Sequence, residues 1–395
     1  MHYLDHNATS PLRPESLAPL TQALGIGGNP SSVHARGRAA RAVVEEAKEK
    51  IALLAGASAH DIIFTSGATE AANLALAGAV EGAIHQHAEG RHAEGGGTRI
   101  TRLFVSAIEH SAVSAPAQRL AERIPGVRVE SLPVTRDGVI DVEALRVALR
   151  EGKGRALVAV MAANNETGVI QPIAEVSRHC REAGALLLVD AVAAAGKLAL
   201  DASLCDYMVL SAHKIGGPQG VGALLVAKGA PLTAQIVGGG QQDGLRAGTE
   251  NLSGIAGFAA AAHAVRNGDG ERDRVLHLRD RFESLLLQAI PQVVIFGAES
   301  PRLIGTSNFA LPGIPSATAM IALDLDGVWV SAGSSCSSGK VAASHVLQAM
   351  GVEYALASCA LRASFGWNSD VADVDAAIIA LTKLWQRKND LGRAA

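Results

Sequence analysis

The chain has 395 residues and a formal net charge of −3, and 48% of its residues are hydrophobic. This length allows one large domain and a smaller one with a sizeable core, and the small negative charge gives no electrostatic reason to expect direct nucleic-acid binding. Four cysteines without paired spacing argue for a reducing compartment and against a disulfide framework.

The sequence carries no targeting or membrane signal that we recognise. Residues 1–5 lack a basic segment followed by an apolar one, so we expect no signal peptide. The longest apolar runs, such as residues 185–189, have the length of a strand and not of a membrane span. These features predict a soluble cytoplasmic enzyme.

Helix-like and strand-like segments alternate between residues 37 and 230. Apolar side chains from Val43 to Leu54 recur at helical spacing, and Gly56 marks the end of that helix. Short apolar runs without polar alternation are typical of strands buried on both faces of a mostly parallel sheet, which binds ligands at the carboxyl ends of its strands. These runs are residues 61–65, 103–105, 156–161, 185–189, 207–210 and 223–226.

Beyond this alternation the pattern changes. A glycine-rich stretch at residues 237–244 is followed after residue 252 by long helical segments, shorter strands and a final helix near residues 371–387. This order predicts a second, smaller α+β domain. The polar segment 85–97 contains His85, His87 and His92, but nothing nearby supplies further ligands in a recognisable spacing. We therefore predict a solvated loop there and no metal site.

The first chemical signal is a turn suited to a phosphate group. Residues 65–70 join a strand to a helix, Gly67 permits a tight turn, and the N–H groups of Ala68 and Thr69 would point at an anion. The Thr69 hydroxyl adds a donor. Taken alone, the same residues also fit an ordinary helix N-cap.

Two further groups follow buried strands. Asp190 closes one apolar run, where a buried carboxylate needs a partner such as a protonated pyridine nitrogen, although a helix N-cap is the alternative. Lys214 follows another run, where partial burial would lower its pKa and make its amine nucleophilic. Ser211 and His213 could both reach a cofactor phosphate. A surface lysine at a strand end is the alternative for Lys214.

Polar residues after two other strands complete the set. His110 could stack on a planar ring and move protons, or it could be a hydrogen-bonded structural histidine. Asn165 could donate to a ring oxygen or satisfy a turn.

Two residues near the C-terminus suit the substrate side of the reaction. Cys336 lies among small residues that keep its sulfur accessible, which favours a reactive thiol over a structural one. Arg362 could clamp a substrate carboxylate with two hydrogen bonds. The order Asp190, Lys214 and Cys336 predicts pyridoxal 5′-phosphate (PLP) chemistry that ends in transfer to sulfur.

The chain resembles NifS/IscS-type cysteine desulfurases of the class V aminotransferase fold. The resemblance runs from residue 3 to about residue 367 in family order. It is carried by residues 3–9, 28–34, 64–70, 109–110, 164–166, 189–191, 211–214, 246–251 and 331–338.

This resemblance implies a PLP-dependent transferase of fold type I. A large domain over residues 12–255 would hold a mostly parallel seven-stranded sheet, and a smaller α+β domain would comprise residues 1–11 and 256–395 and carry the catalytic-cysteine loop. In this comparison Lys214 binds PLP covalently, Asp190 pairs with the ring nitrogen and His110 stacks on the ring. Ala68, Thr69, Ser211 and His213 resemble the phosphate cup, to which Thr249 of a second subunit contributes in a homodimer. We also predict that Asn165 contacts both the cofactor and the substrate.

The implied reaction removes sulfur from L-cysteine. Arg362 resembles the arginine that binds the substrate carboxylate, and Cys336 resembles the cysteine that takes the sulfur as a persulfide, leaving L-alanine. The acceptor would be an iron–sulfur scaffold or a thiolation protein. A selenocysteine lyase or a transaminase of the same fold, and a non-catalytic relative, are the alternatives.

Three departures separate this chain from the family pattern. Ala193 stands where the family has a glutamine that hydrogen-bonds the ring oxygen. The segment between Asp190 and Lys214 is about two residues shorter than we expect. Gln219 replaces a lysine after Gly217-Pro218, and residues 341–344 differ from the usual sequence after the catalytic loop.

Overall fold

A large mixed sheet and a smaller sheet, both covered by helices, organise the chain. The computed structural model describes residues 1–57, 62–88, 99–268, 270–333 and 343–394. The helices are α1 (Pro14–Ile26), α2 (Ala35–Ala55), α3 (Ala68–Ala88), α4 (Ser111–Arg123), α5 (Val142–Arg150), α6 (Ile173–Glu182), α7 (Leu252–Asn267), α8 (Glu271–Ala289), α9 (Ser316–Leu325), α10 (His345–Ala349), α11 (Tyr354–Ala357) and α12 (Val371–Ala394). The strands are β1 (His2–Tyr3), β2 (Ile62–Thr65), β3 (Ile100–Ser106), β4 (Arg128–Leu132), β5 (Arg155–Met161), β6 (Leu186–Asp190), β7 (Tyr207–Ser211), β8 (Gly222–Val226), β9 (Val294–Ile295), β10 (Thr306–Ala310), β11 (Val328–Trp329), β12 (Ser331–Ala332) and β13 (Ala360–Ser364).

The large sheet has seven strands in the order β2-β8-β7-β6-β5-β3-β4. All neighbours pair in parallel except β8, which is antiparallel to both β2 and β7. The predicted mostly parallel seven-stranded sheet is therefore confirmed. All six predicted strands are present: five begin and end within one residue of their expected bounds, and β3 begins three residues earlier than predicted, at Ile100.

Helices cover both faces of this sheet because its strands are apolar on both sides. On one face, Val158 of β5 packs in a core with residues of α2, α5, α6 and α7. On the other face, Leu157 packs with residues of α3 and α4. Helix α7 crosses the domain boundary predicted at residue 255 and contributes Phe258 to the first of these cores.

The smaller sheet has four strands in the order β12-β13-β10-β9, and a separate pair joins β1 to β11. Its core is built around Phe282, Phe309 and Phe365, and Leu4 from the N-terminal segment packs in the same core. We propose that residues 1–11 belong to the smaller domain for this reason.

Two details of the helices bear on the sequence predictions. Helix α3 continues to Ala88, so the first four residues of the predicted loop 85–97 are helical, and residues 89–98 lie outside the described ranges. Helix α12 extends beyond its predicted end to Ala394. None of the described helices has both the length and the apolar composition needed to cross a bilayer.

The aromatic core of the smaller domain yields a stability prediction. Phe309 is fully buried, and its ring centroid lies 5.5 Å from that of Phe282. We expect Phe309→Ala to lower the free energy of unfolding by about 3–5 kcal/mol, because it leaves a cavity between packed rings. Leu325→Ala is the control, since Leu325 is 82% exposed, and its effect should stay within about 0.5 kcal/mol. Denaturant unfolding measures both, and equal effects would contradict this account of the core.

Candidate active site

The main cavity lies beside the carboxyl ends of strands β5, β6 and β7 and has a volume of about 550 Å³. Open parallel sheets bind ligands at this edge, because successive strands end there in polar turns. The predicted site residues that line the main cavity are Ala68, Thr69, His110, Asn165, Asp190, Ser211, His213, Lys214 and Arg362.

The start of α3 forms a set of anion-binding donors in the cavity wall. Gly67, Ala68 and Thr69 line the cavity where the helix begins, and the free N–H groups of a helix N-terminus favour negative charge. Strand β8 approaches this turn closely, since a Cβ at Gly222 would lie 2.7 Å from the Gly67 carbonyl carbon. A side chain at residue 222 would therefore push the turn away from β8.

His213 adds a neutral donor or acceptor to the same wall. Burial, reinforced by the Lys214 charge, lowers the pKa of His213 to about 4, so the ring is neutral at pH 7. Its Nδ1 lies 3.2 Å from the Thr9 hydroxyl oxygen, which leaves Nε2 for a ligand.

Asp190 ends strand β6 with a carboxylate inside the protein. The residue is 7% exposed, and Oδ1 accepts a hydrogen bond from the Val192 N–H at 2.9 Å. Within the described part of the chain it forms no ion pair, so burial raises its pKa to about 6 against the lowering effects of the Val192 N–H and the Lys214 charge. A cation bound in the cavity would supply the missing partner.

Lys214 follows β7 in a short 3₁₀ turn and extends its amine into the cavity wall. Its Nζ donates to the carbonyl oxygens of Asn7 at 2.5 Å and Ala8 at 2.8 Å. The N-terminal segment thus holds the amine inside the protein. Lys214 is therefore not the surface lysine at a strand end that the sequence allowed as an alternative.

His110 combines both roles that the sequence left open. Its Nδ1 accepts from the Ala112 N–H at 3.1 Å and caps α4, while the side chain also lines the main cavity. Because Nδ1 is an acceptor, the neutral ring carries its proton on Nε2. Burial, then the charges of Lys214 and His345, lower the pKa of His110 and keep the ring neutral.

Arg362 lies on β13 and reaches the cavity from the smaller sheet. It is 3% exposed and donates from NH2 to Asp5 Oδ1 at 2.6 Å and from NH1 to the Asn165 carbonyl oxygen at 3.1 Å. Its Nε has no hydrogen-bond partner in the described ranges. Asp5 therefore fixes the guanidinium group while the cavity side remains available to a carboxylate.

Cys336 lies outside the described residues, but both flanks of its segment are described. Gly333 lines the main cavity, and a Cβ there would lie 2.5 Å from Glu166 Oε2. The Ser344 hydroxyl donates to the same carboxylate oxygen. Glu166 is buried, which raises its pKa despite the Ser344 hydrogen bond. One carboxylate thus contacts both ends of segment 334–342.

Thr249 does not line the main cavity. It is exposed and lines a separate cavity of about 110 Å³, and this cavity shares Ser66 and Gly220 with the main one. Its predicted contribution from a second subunit is compatible with this position but remains a prediction.

Two residues of the site were not assigned roles from the sequence. Asn7 and Lys197 both line the main cavity, and Lys197 Nζ donates to Asn7 Oδ1 at 3.1 Å. Asn7 lies in the motif of residues 3–9 that carries part of the family resemblance, and this motif could have identified it as a site residue. Lys197 follows Asp190 by seven residues in a turn, and no local pattern distinguishes it from a surface lysine.

The other cysteines are free and buried: Cys180, Cys205 and Cys359. Burial raises the pKa of both Cys180 and Cys205 to about 12, so these thiols are unreactive at neutral pH. Among the described residues no group of three or more His, Cys, Asp or Glu side chains could hold a metal ion. His92 lies outside those residues, as do the side chains of His85 and His87.

Comparison with known proteins identifies relatives over nearly the whole chain. Residues 2–377 match the aminotransferase class-V family. An IscS-like cysteine desulfurase of Mycobacterium tuberculosis is 40% identical over 385 residues, which cover 96% of this chain and 95% of the relative. A solved structure described as a NifS-like protein has 33% identity and a TM-score of 0.86, covering 98% of this chain and all of the other. A structure of SspA in complex with cysteine has 27% identity and a TM-score of 0.79, covering 94% of this chain and all of the other.

The contact between Gly333 and Glu166 yields a prediction. Gly333→Ala should lower the free energy of unfolding by about 1–3 kcal/mol, because the added methyl group meets a carboxylate that Ser344 holds in place. Gly25→Ala is the matched control: it lies exposed in α1 with open space around its Cβ position, and we expect a gain of up to about 1 kcal/mol. Chemical denaturation of both variants tests this, and equal stabilities would show that Glu166 does not confine Gly333.

Proposed function

Because the chain belongs to the class V aminotransferase family and to its PLP-dependent cysteine desulfurases, we propose that it transfers sulfur from L-cysteine to Cys336. The observation that carries this proposal is the main cavity, where an anion-binding turn, Asp190, Lys214 and Arg362 meet. The cavity also reaches Gly333, three residues before Cys336. The net reaction converts L-cysteine and the Cys336 thiol into L-alanine and a Cys336 persulfide.

The residues present fit PLP. A phosphate suits the N–H groups of Ala68 and Thr69 together with Ser211 and His213. Asp190, a buried carboxylate without an ion pair in the described chain, suits a protonated ring nitrogen. When bound, PLP supplies an aldehyde that condenses with amines and a ring that accepts electrons from the attached amino acid.

The side chains of this chain then divide the remaining tasks. Lys214 would hold the cofactor covalently, and its amine would move a proton at the substrate. Neutral His110, which carries its proton on Nε2, lines the cavity and would act as a second proton donor. With a pKa of about 6, Asp190 is mostly ionised at pH 7 and would hold a proton on the ring nitrogen.

Arg362 and Asn165 bind and orient the substrate. The guanidinium group, which Asp5 holds in place, pairs with the substrate carboxylate, and the Asn165 side chain donates to it. The Cys336 thiolate attacks the substrate sulfur. A bond forms between the two sulfur atoms, the carbon–sulfur bond of the substrate breaks, and the released carbon takes up a proton to give L-alanine.

The proposal extends to a homodimer, a cytoplasmic location and an acceptor protein. The exposed position of Thr249 next to Ser66 supports its contribution to the phosphate cup of a second copy of the chain. The free thiols of Cys180, Cys205 and Cys359 support a reducing compartment. The acceptor that takes sulfur from Cys336 would be an iron–sulfur scaffold or a thiolation protein.

The assignment of Lys214 has a direct test. Lys214→Ala should lose the visible absorbance of covalently held PLP, and borohydride should no longer fix the cofactor to the chain, because the variant lacks the amine that forms the bond. Lys228→Ala, at an exposed lysine, should retain both properties. A borohydride-fixed chromophore that persists in Lys214→Ala would assign the covalent bond to another residue.

The role of Cys336 is tested separately from cofactor binding. Cys336→Ala should bind PLP as the wild type does but form L-alanine from L-cysteine at least about a hundredfold more slowly, because the attacking thiolate is gone. Cys205→Ala removes a buried, unreactive thiol and should keep the wild-type rate. The measurements are L-alanine, and sulfide released with a reductant. A wild-type rate in Cys336→Ala would contradict the proposal.

A further inference from the structure

Lys197 brings a second amine to the site, for which the proposed reaction has no use. The side chain keeps some accessible surface, and it lines both the main cavity and the smaller cavity that contains His6 and Arg13. No carboxylate forms a salt bridge with it in the described ranges. Burying an ammonium group without such a partner is unfavourable, so its position calls for an explanation.

Asn7 fixes where this amine lies. The Asn7 side chain donates from Nδ2 to the Asn165 carbonyl oxygen at 3.1 Å and to the Thr306 hydroxyl at 2.9 Å. Its backbone N–H donates to the Ser364 hydroxyl at 2.9 Å. These contacts leave Oδ1 as the acceptor that faces Lys197 Nζ, 3.1 Å away.

The same residue also holds the amine of Lys214. Lys214 Nζ donates to the Asn7 carbonyl oxygen at 2.5 Å, so Asn7 binds one amine through its backbone and the other through its side chain. Two positive charges this close repel each other in an environment with little water. Among the described residues, the charged or titratable groups around the pair include His6, His110, Asp190, His213, Arg362 and, through Arg362, Asp5. Arg13 and Glu271, which pair with each other, line the smaller cavity together with both lysines.

The neighbouring charges that act most strongly on Lys197 are positive. Burial, followed by the charges of Lys214 and Arg362, lowers the pKa of Lys197 to about 7. Coulomb repulsion is reciprocal, so Lys197 disfavours a proton on the Lys214 nitrogen to the same extent. The two carbonyl acceptors of Lys214 oppose this effect by favouring its charged form.

We propose that Lys197 is a positioning residue that acts electrostatically: its ammonium group lowers the proton affinity of the Lys214 nitrogen and thereby keeps that nitrogen reactive near neutral pH. The inference rests on the proposed function, in which Lys214 binds the cofactor. Nucleophilic lysines are known to be activated by an adjacent cationic group, and here the paired contacts of Asn7 set the required proximity.

The test is a spectrophotometric pH titration of the holoenzyme, which reports protonation of the Lys214 nitrogen bound to PLP. Lys197→Met removes the charge with little change in side-chain volume. Its titration midpoint should rise by about one pH unit, equivalent to a tenfold higher proton affinity of the nitrogen. Lys197→Arg retains the positive charge and should titrate within a few tenths of a unit of the wild type.

Two further variants keep the test decisive. Lys197→Gln serves if Lys197→Met does not fold, and the same upward shift is expected. Lys153→Met removes an exposed lysine charge and should leave the midpoint unchanged. An unchanged midpoint in the uncharged Lys197 variants, or an equal shift in Lys197→Arg, would overturn the inference.

Failure of this inference is distinct from failure of the proposed function. If Lys214 does not bind PLP, the chromophore of Lys214→Ala persists, whatever the titration of the Lys197 variants shows. If Lys214 binds PLP but Lys197 does not tune it, the chromophore of Lys214→Ala disappears and the Lys197→Met midpoint stays that of the wild type.

Discussion

The site depends on the polar segment of residues 5–9, which lies between the two sheets and satisfies buried charges from both. Asp5 pairs with Arg362 of the smaller sheet, and the Asn7 and Ala8 carbonyl oxygens bind the Lys214 amine from the large one. Thr9 contacts His213. Buried charged and polar groups must have partners, so the segment fixes the substrate side of the site relative to the cofactor side. A cavity between two sheets keeps its geometry only while such a connection holds.

The large sheet could be predicted from the sequence because its strands are short apolar runs that end in polar residues. Strand β4 was not predicted because it lies at the edge of the sheet. Most of its residues are at least partly exposed there, so it mixes polar and apolar side chains. The antiparallel direction of β8 could not be predicted from the sequence either, since strand direction depends on the path of the chain and not on local composition. Helix ends were accurate only to several residues, as α12 shows.

The site was predictable where local sequence carries the chemistry. Asp190 and Lys214 each follow a buried strand, and the structure brings both to one cavity as expected. Asn7 and Lys197 were missed because their significance lies in contacts that span 190 positions of the chain. Ala193, where the sequence comparison expected a glutamine, also lines the cavity, as does Lys197 four residues later.

The electrostatics of the buried carboxylates explain why only one of them suits a cationic ring nitrogen. Glu109 is 1% exposed; burial, and then the Asp190 charge, raise its pKa well above the usual range. It accepts one hydrogen bond, from the Met161 N–H, and Oε2 has no partner in the described chain. Asp190 instead has the Val192 N–H and the positive charge of Lys214 nearby, and its pKa of about 6 lies below neutral pH. Burial and the Asp190 charge thus favour the protonated form of Glu109, whereas the Val192 N–H and the Lys214 charge favour the ionised form of Asp190. Two ionised carboxylates in this region would repel each other, so these opposite influences favour a single negative charge at Asp190, where the ring nitrogen would bind.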